Sequence, residues 1–518
     1  MTEISWSAQL DFPLLGQLQL LPLAGCILVW VLRRSKFLLY ISILIAAVES
    51  GLAIYLFQQY DHTLSGFQLA ERIELVTPLS YHAAIDGISV LFILLTALLS
   101  LITVFYAPVR ALQQLDKILM TSFAVEAALM GMFTTVDLLW FVMLSFFYLG
   151  LVGYLLLVWG TSAERGMAIT RYFQFMGSGL LLLVIGTAML GWHYADASGS
   201  QWSFNLFDLM KTPVTGPMQS WMFFLLFYGL AIRIPLFPLH GWFPLAAEHG
   251  NIAVAPVFIL GVKTGVYGLL RFVFPLLPEA VMQWHQFVVA FAVAGVFYAA
   301  LLAMMQTDLR RLLAFAVVSH TSILVIGLFS LTPHAFQGSV ILSMNFGLAT
   351  AGLLFMTGLV YRRTNTTVLS ELGSLFDRIP FIGITFFIAG LSIVGMPGTP
   401  GFDAAHLVLE AAIERFGAVV TVAAAIGNVL AAGFLLWAFQ RAFLAPRKDS
   451  ESSWDIERTS LKEYFIAGTV IVILVGSGFF IEPWLGLIEK PINVLSLPFH
   501  VEGNVEEVII QQSIDQKD

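Results

Sequence analysis

Charge and cysteine are what this sequence has least of. Of its 518 residues only 11% are charged, and a single one, Cys26, is cysteine. A soluble domain carries about 25% charged residues because its surface must be hydrated. This chain therefore cannot cover a water-facing surface of its size, and most of it must face lipid or protein. One cysteine excludes an internal disulfide and leaves no thiolate set for a zinc site or an iron–sulfur cluster. Basic runs are missing as well, and the net charge is -8, so no nucleic-acid partner is expected. No glycine-rich loop follows a strand pattern to cradle a nucleotide, and no cofactor is expected on this chain. The N-terminus holds Glu3 and Asp11 where a signal peptide would be basic, and its apolar segment runs past signal-peptide length, so no cleavable signal is expected.

What the chain has instead is apolar length: 58% hydrophobic residues and a mean hydropathy of +0.87. A helix needs about 20 mostly apolar residues to span the hydrocarbon core, and backbone groups in lipid must be satisfied within their own segment. Such runs lie at roughly 13–32, 37–57, 87–107, 118–135, 138–159, 169–192, 219–240, 253–275, 285–304, 309–330, 335–361, 379–414, 416–444 and 463–485. The expected fold is all-α, a polytopic membrane protein of about 14 transmembrane helices. Two runs are interrupted. The seventh reads Arg233-Ile234-Pro235-Leu236-Phe237-Pro238, and the twelfth, too long for one straight helix, holds Gly395-Met396-Pro397-Gly398-Thr399-Pro400-Gly401. Proline removes a backbone donor and breaks the helical ladder. Breaks at corresponding places suggest paired five-helix repeats, spans 4–8 and 9–13, around central ion sites; ordinary proline kinks are the alternative. The chain then divides into 1–117, 118–275, 285–444 and 445–518. With both termini outside, 17 of the 25 lysines and arginines fall in or at the edge of cytoplasmic loops, as the enrichment of basic residues there requires. The acidic end (Glu502, Glu506, Glu507, Asp515, Asp518) reads as an exterior amphipathic or disordered tail.

Ionisable groups inside a bilayer cost several kcal/mol each and are functional candidates by default. Here they are Glu126 in span 4, Arg233 in span 7, Lys263 in span 8, His320 in span 10, and Asp403, His406 and Glu410 in span 12. Lys263 lies too deep to snorkel to either surface. A lysine taken out of water gives up its proton more readily, which suits a proton carrier; a static lysine bonded to broken-helix carbonyls is the alternative. His320 could relay protons or be a packed hydrogen-bonding group. Arg233 can set a field but cannot ferry a proton, because guanidinium does not release one in proteins. Glu126 is either its counter-charge or the cap of a polar pocket, and Asp403 reads as a cap. His240, Glu248 and His249 lack the spacing of a metal site. Asp86, at an exterior helix start, reads as a helix cap.

Four stretches carry a family resemblance: Ser80–Ser89, Arg233–Pro244 leading to Lys263–Arg271, Gln306-Thr307-Asp308-Leu309-Arg310-Arg311-Leu312 followed by Val318-Ser319-His320, and Gly395–Phe402. Spread over roughly residues 75–445, they resemble subunit M, an antiporter-like membrane subunit of proton-translocating NADH-quinone oxidoreductase (complex I). The resemblance implies two inverted five-helix repeats with helices 7 and 12 broken, and a bacterial inner or thylakoid-type membrane. It further implies lipid and other membrane subunits as partners, and proton translocation coupled to electron transport. NADH oxidation and quinone reduction would belong to those partners. Position by position it implies a central lysine at Lys263, a relay histidine at His320 and the span-4 glutamate at Glu126. The departures are several. Arg233 stands where the span-7 lysine is expected, Phe146 where the span-5 glutamate falls, Phe346 (beside Asn345) where the span-11 histidine falls, and Ala405 where the span-12 acid falls. Three readings stay open: pumping rerouted through Lys263, His320, His406 and Glu410; a non-pumping structural or coupling subunit; or membership of an inorganic-carbon uptake or cation/proton antiporter complex.

Overall fold

Wherever the sequence offers a long apolar run the chain is helical, because in hydrocarbon only a helix satisfies its own backbone. The computed structural model describes residues 3–76, 79–109, 114–159, 165–250, 255–446 and 457–499. Arg110, Arg447, Lys448, Lys517 and the acidic end from Glu502 to Asp518, on which some expectations rest, lie outside the described residues. The N-terminal part runs β1 (Glu3–Ser5), α1 (Leu14–Val31), α2 (Leu38–Gln59), β2 (Phe67–Val76), β3 (Leu79–Ile85) and α3 (Gly87–Val109). A first set follows: α4 (Leu115–Thr134), α5 (Leu138–Trp159), α6 (Arg165–Ser198), the short α7 (Leu206–Lys211), α8 (Pro217–Arg233), α9 (Phe243–His249) and α10 (Ala255–Gly268). A π-helical turn, Leu269–Val273, and α11 (Phe274–Leu276) prolong α10. The second set is α12 (Pro278–Met304), α13 (Leu309–Leu328), α14 (Pro333–Thr364), α15 (Pro380–Val394), α16 (Pro400–Phe416) and α17 (Ala418–Phe439), prolonged by a π-helical turn at Gln440–Leu444. The chain closes with α18 (Leu461–Phe479) and α19 (Glu482–Ser496).

Among the described residues, eleven helices are long and apolar enough to cross a membrane. The three other expected spans fall on interrupted helices. α8 stops at Arg233 after 17 residues, α10 reaches its π turn after 14, and α15 stops at Val394 after 15 before the chain resumes as α16. Length alone therefore gives eleven and not fourteen. Apart from the short α7, the two sets share an order: the third helix is the longest in each (34 residues in α6, 32 in α14), the fourth is broken, and the fifth ends in a π turn. Proline opens α8, α12, α14, α15 and α16, in the first turn, where its missing N–H has no intrahelical partner to lose.

One element was not foreseen. A small three-stranded sheet, β1 parallel to β2 and β2 antiparallel to β3, sets Glu71 opposite Ala83 and Arg72 opposite His82. It fastens the helix starts beside it. The Glu71 carboxylate accepts the N–H groups of Leu15 (2.7 Å) and Gly16 (2.8 Å) and so caps α1; burial nevertheless pushes its pKa up. His82 bonds Glu3 at 2.9 Å and Asn205 on its other nitrogen, and burial lowers its pKa against the pull of Glu3. Asp86 caps α3 as expected, accepting the Ser89 N–H at 2.9 Å. It does more than cap: Arg271 donates to both of its oxygens, at 2.9 and 2.6 Å, and to Ser89 Oγ at 3.0 Å and Tyr267 at 3.1 Å. This buried pair locks the start of α3 to the π turn after α10.

α14 is the hub, packed against α3, α10, α13, α15, α16, α18 and α19 and buried along nearly its whole length. α19 is amphipathic, with Leu487, Ile488, Ile492 and Leu495 buried; the acidic end expected to be amphipathic or disordered lies outside the described residues. α19 can cross the start of α3 because residue 87 is glycine: a methyl there would lie 1.8 Å from the Leu487 carbonyl oxygen.

Candidate functional site

The lysine singled out in the sequence is 2% exposed and sits on α10, about 12 Å from the helix start at 1.5 Å per residue. Its stem passes Gly347 of α14, whose missing side chain leaves the room: a methyl there would meet Lys263 Cε at 3.4 Å. Lys263 and His320 line one small closed cavity of about 10 Å³, together with Ala316, Thr321, Phe346 and Thr350. That is space for about one water. His320 is fully buried on α13. Its Nδ1 lies 2.8 Å from the Ala316 carbonyl, which fixes the ring, and its Nε2 has no partner. Among the described residues, no hydrogen bond or ion pair holds the Lys263 ammonium. An amine and an imidazole nitrogen that share a cavity, neither committed to a protein partner, can pass a proton through one bridging water.

The line stops there. Phe346 packs edge-on against His320, ring centroids 5.2 Å apart, and closes that side of the cavity. Beside it Asn345 ties the broken span together, donating to the Ser392 carbonyl at 2.9 Å and accepting from Ser392 Oγ at 2.6 Å. That carbonyl, near the end of α15, also accepts the Gly395 N–H at 3.2 Å. Gly395 (φ 83°) and Gly398 (φ 87°) make the break itself, in left-handed backbone that other residues rarely adopt. His406 and Glu410 are not brought to the cavity. They lie on the outer face of α16, with side chains 76% and 52% exposed and 4.0 Å apart. The physical reason is register: Ala404, Val408 and Ala411 take the inward face of α16, so positions 406 and 410 point away. Asp403 lies in the first turn of α16 but makes no capping bond; the Thr399 hydroxyl turns back to Met396 O instead.

Arg233 ends α8 in a separate pocket of about 10 Å³ lined by Ser145, Tyr148, Tyr172, Trp242 and Gly261 among others. Trp242 Nε1 donates to the Ile232 carbonyl at 2.9 Å, filling in for the helix that stops there. Among the described residues no carboxylate pairs with Arg233; two tyrosines face it. Glu126, considered as its counter-charge, is not beside it. It is fully buried on α4 and lies instead within electrostatic reach of Glu49 on α2. Glu49 was missed in the sequence, although an acid inside the apolar run 37–57 was signal enough. Glu248 is held by Arg311 at 3.3 Å, and His240 packs on Phe237 and Tyr298. No group of three metal-ligating residues occurs among the described residues.

This architecture has relatives. Residues 136–431 match the family described as NADH:quinone oxidoreductase/Mrp antiporter, transmembrane. The chain is 30% identical over 491 residues to NADH-quinone oxidoreductase subunit M of Escherichia coli, covering 91% of this chain and 95% of that one. The chain belongs to the NADH:quinone oxidoreductase/Mrp antiporter membrane family. Its fold superposes on a chain of respiratory complex I from Thermus thermophilus with a TM-score of 0.85 at 25% identity, covering 94% of this chain and all of the other. On a chain of the Mrp complex from Dietzia the TM-score is 0.83 at 19% identity, with 94% and 98% covered, a likeness of fold alone.

Within this family fold the departures acquire positions. Phe146, where a span-5 acid was expected, is 62% exposed on the outer face of α5 beside Phe147. The face of α5 turned to Arg233 carries Ser145, Tyr148, Leu149 and Val152, none of them acidic. Accordingly, Arg233→Lys by itself is expected to leave proton translocation within about twofold of the parent, since no nearby acid can exchange its proton with the new amine. Initial rates of substrate-driven acidification in inverted membrane vesicles measure this; a several-fold rise would contradict it.

Proposed function

We propose that this chain is an antiporter-like membrane subunit of a complex I-type NADH-quinone oxidoreductase, embedded among other membrane subunits, and that it takes part in proton translocation coupled to electron transport. Both termini lie on the exterior side, and the broken helices of residues 118–275 and 285–444 are the centres of two repeats. Lys263 carries the proton and His320 relays it. One observation carries this reading: the two side chains share a closed, water-sized cavity in the interior of the helices, with the imidazole nitrogen uncommitted to any protein partner. Arg233 holds a fixed positive charge and does not itself exchange protons. The second reading, a coupling element that no longer pumps, is favoured by the aromatic closure at Phe346 and by the outward direction of His406 and Glu410.

The two readings separate in membranes. Affinity purification of the tagged chain from mild detergent is expected to bring NADH-quinone reductase activity with it. Reconstituted into vesicles, that assembly should acidify the lumen on NADH addition in proportion to the subunit's presence. Recovery of the chain without reductase activity, or with sodium-dependent proton exchange that needs no NADH, would point to the other complexes of the fold.

A further inference from the structure

Away from the Lys263 cavity, a second pair of ionisable groups is buried in the N-terminal helices. α1 and α3 each pack against both α2 and α4, so α2 and α4 face one another across them. Both begin after a loop on the same side of the bundle, and each carries one acid about 16 Å along its axis at 1.5 Å per residue: Glu49 on α2, Glu126 on α4. The matched depth has a packing cause. Gly25 of α1 lets the two helices close in one turn before the carboxylates; a methyl there would lie 3.0 Å from Ile45 Cγ2 and 3.4 Å from Phe123 Cγ.

Glu49 is 0% and Glu126 1% exposed; neither Glu49 oxygen has a hydrogen-bond partner, and for Glu126 the one polar side chain that comes near is the Ser100 hydroxyl of α3. Ser122, one turn before Glu126 on the same face of α4, is also buried with its hydroxyl unpartnered. The two acids lie within reach of each other's charge. Among their other neighbours, α1 and α3 carry no charged residue, and their titratable side chains are Cys26 and Tyr106. α5 has no charged residue either, its titratable groups being tyrosines, while α10 brings Lys263 and Tyr267 and β3 brings Tyr81 and His82. No ion pair to either acid occurs among the described residues.

Two carboxylates buried within reach of each other's charge, with no cation paired to either, cannot both stay ionised. One proton held between them satisfies one oxygen of each acid at once, and Ser122 can supply a further donor. We propose that Glu49 and Glu126 form a proton-sharing carboxylate pair, a second proton-holding site in the N-terminal helices. This rests on the proton-translocation reading for its purpose but not for its existence.

Infrared spectroscopy of the purified complex tests it. A protonated-carboxyl stretching band that shifts in D2O is expected in the parent. It should move or vanish in Glu49→Gln and in Glu126→Gln and be absent from the double variant. Dicyclohexylcarbodiimide, which adds whole to protonated acids in apolar surroundings, should label one of the two residues per chain, read by peptide mass spectrometry. Glu49→Leu, which removes the acid without leaving a polar group, should assemble as the parent does and shift the band to that of a lone buried carboxylic acid. A parent without the band, or a band unchanged by both glutamine variants, overturns the proposal. A band abolished by added sodium overturns it in favour of a metal-cation site. Failure of proton translocation in the parent would sink the functional reading while leaving the band in place, so the two stand or fall separately.

Discussion

Lys263→Ala is expected to slow the proton step through this chain by about a hundredfold, the lower end of what a positioned proton carrier contributes. Protons translocated per NADH should fall by this subunit's share. The argument is structural. Lys263 is the amine on the cavity shared with His320, and no other charged side chain lines that cavity to take over its proton. Lys263→Arg discriminates between charge and proton exchange. Guanidinium keeps the charge but does not release a proton in proteins, so the arginine variant should resemble alanine in pumping while assembling like the parent. His320→Gln should show the same direction with a smaller loss, since a water in the cavity can still accept from the lysine. Undiminished proton uptake in the alanine variant, with electron transfer intact, would remove the carrier role from this lysine. The second reading, a subunit that couples without pumping, would then stand.

The largest stability effect is expected at Arg271→Ala. Asp86 and Arg271 are both buried, and the arginine donates to both carboxylate oxygens. Removing one partner of such a pair leaves the other charge uncompensated and costs about 3–5 kcal/mol. Part of that loss falls on Ser89 and Tyr267, which also lean on the guanidinium. Thermal unfolding in detergent, followed by loss of the assembled complex, should show the change. The double variant Asp86→Leu with Arg271→Met should lose much less than Arg271→Ala alone, because no unpaired charge remains. If the single and double variants are equally unstable, packing and not charge holds this corner. The effect should be similar at low and high salt, as buried pairs are screened far less than surface ones.

The legible part of the site was its inventory. Lys263, His320, Glu126 and Arg233 stood out because an ionisable residue in an apolar run of helical length is expensive wherever it points. Glu49, inside the apolar run 37–57, meets the same criterion. Which of these groups meet was not legible. Lys263 and His320 are 57 positions apart yet share a cavity; Glu126 lies within electrostatic reach of Glu49 and not beside Arg233; His406 and Glu410, adjacent to the expected path by counting, lie on the opposite face of their helix. Asp86 shows the same division. Its cap follows from a local signal at a helix start, whereas its partner Arg271, 185 residues away, does not.

By itself the sequence determined the solvent, the helical class, the places where helices break and the chemical identity of the groups left inside. All of these follow from hydropathy, chain length and the missing N–H of proline, which act over a few turns of backbone. Only the tertiary structure decided which helix faces are turned inward, because rotation of a helix about its axis is fixed by the shapes packed against it. That rotation turns Lys263 and His320 into one cavity, brings the two N-terminal acids within reach of each other's charge and sends His406 outward.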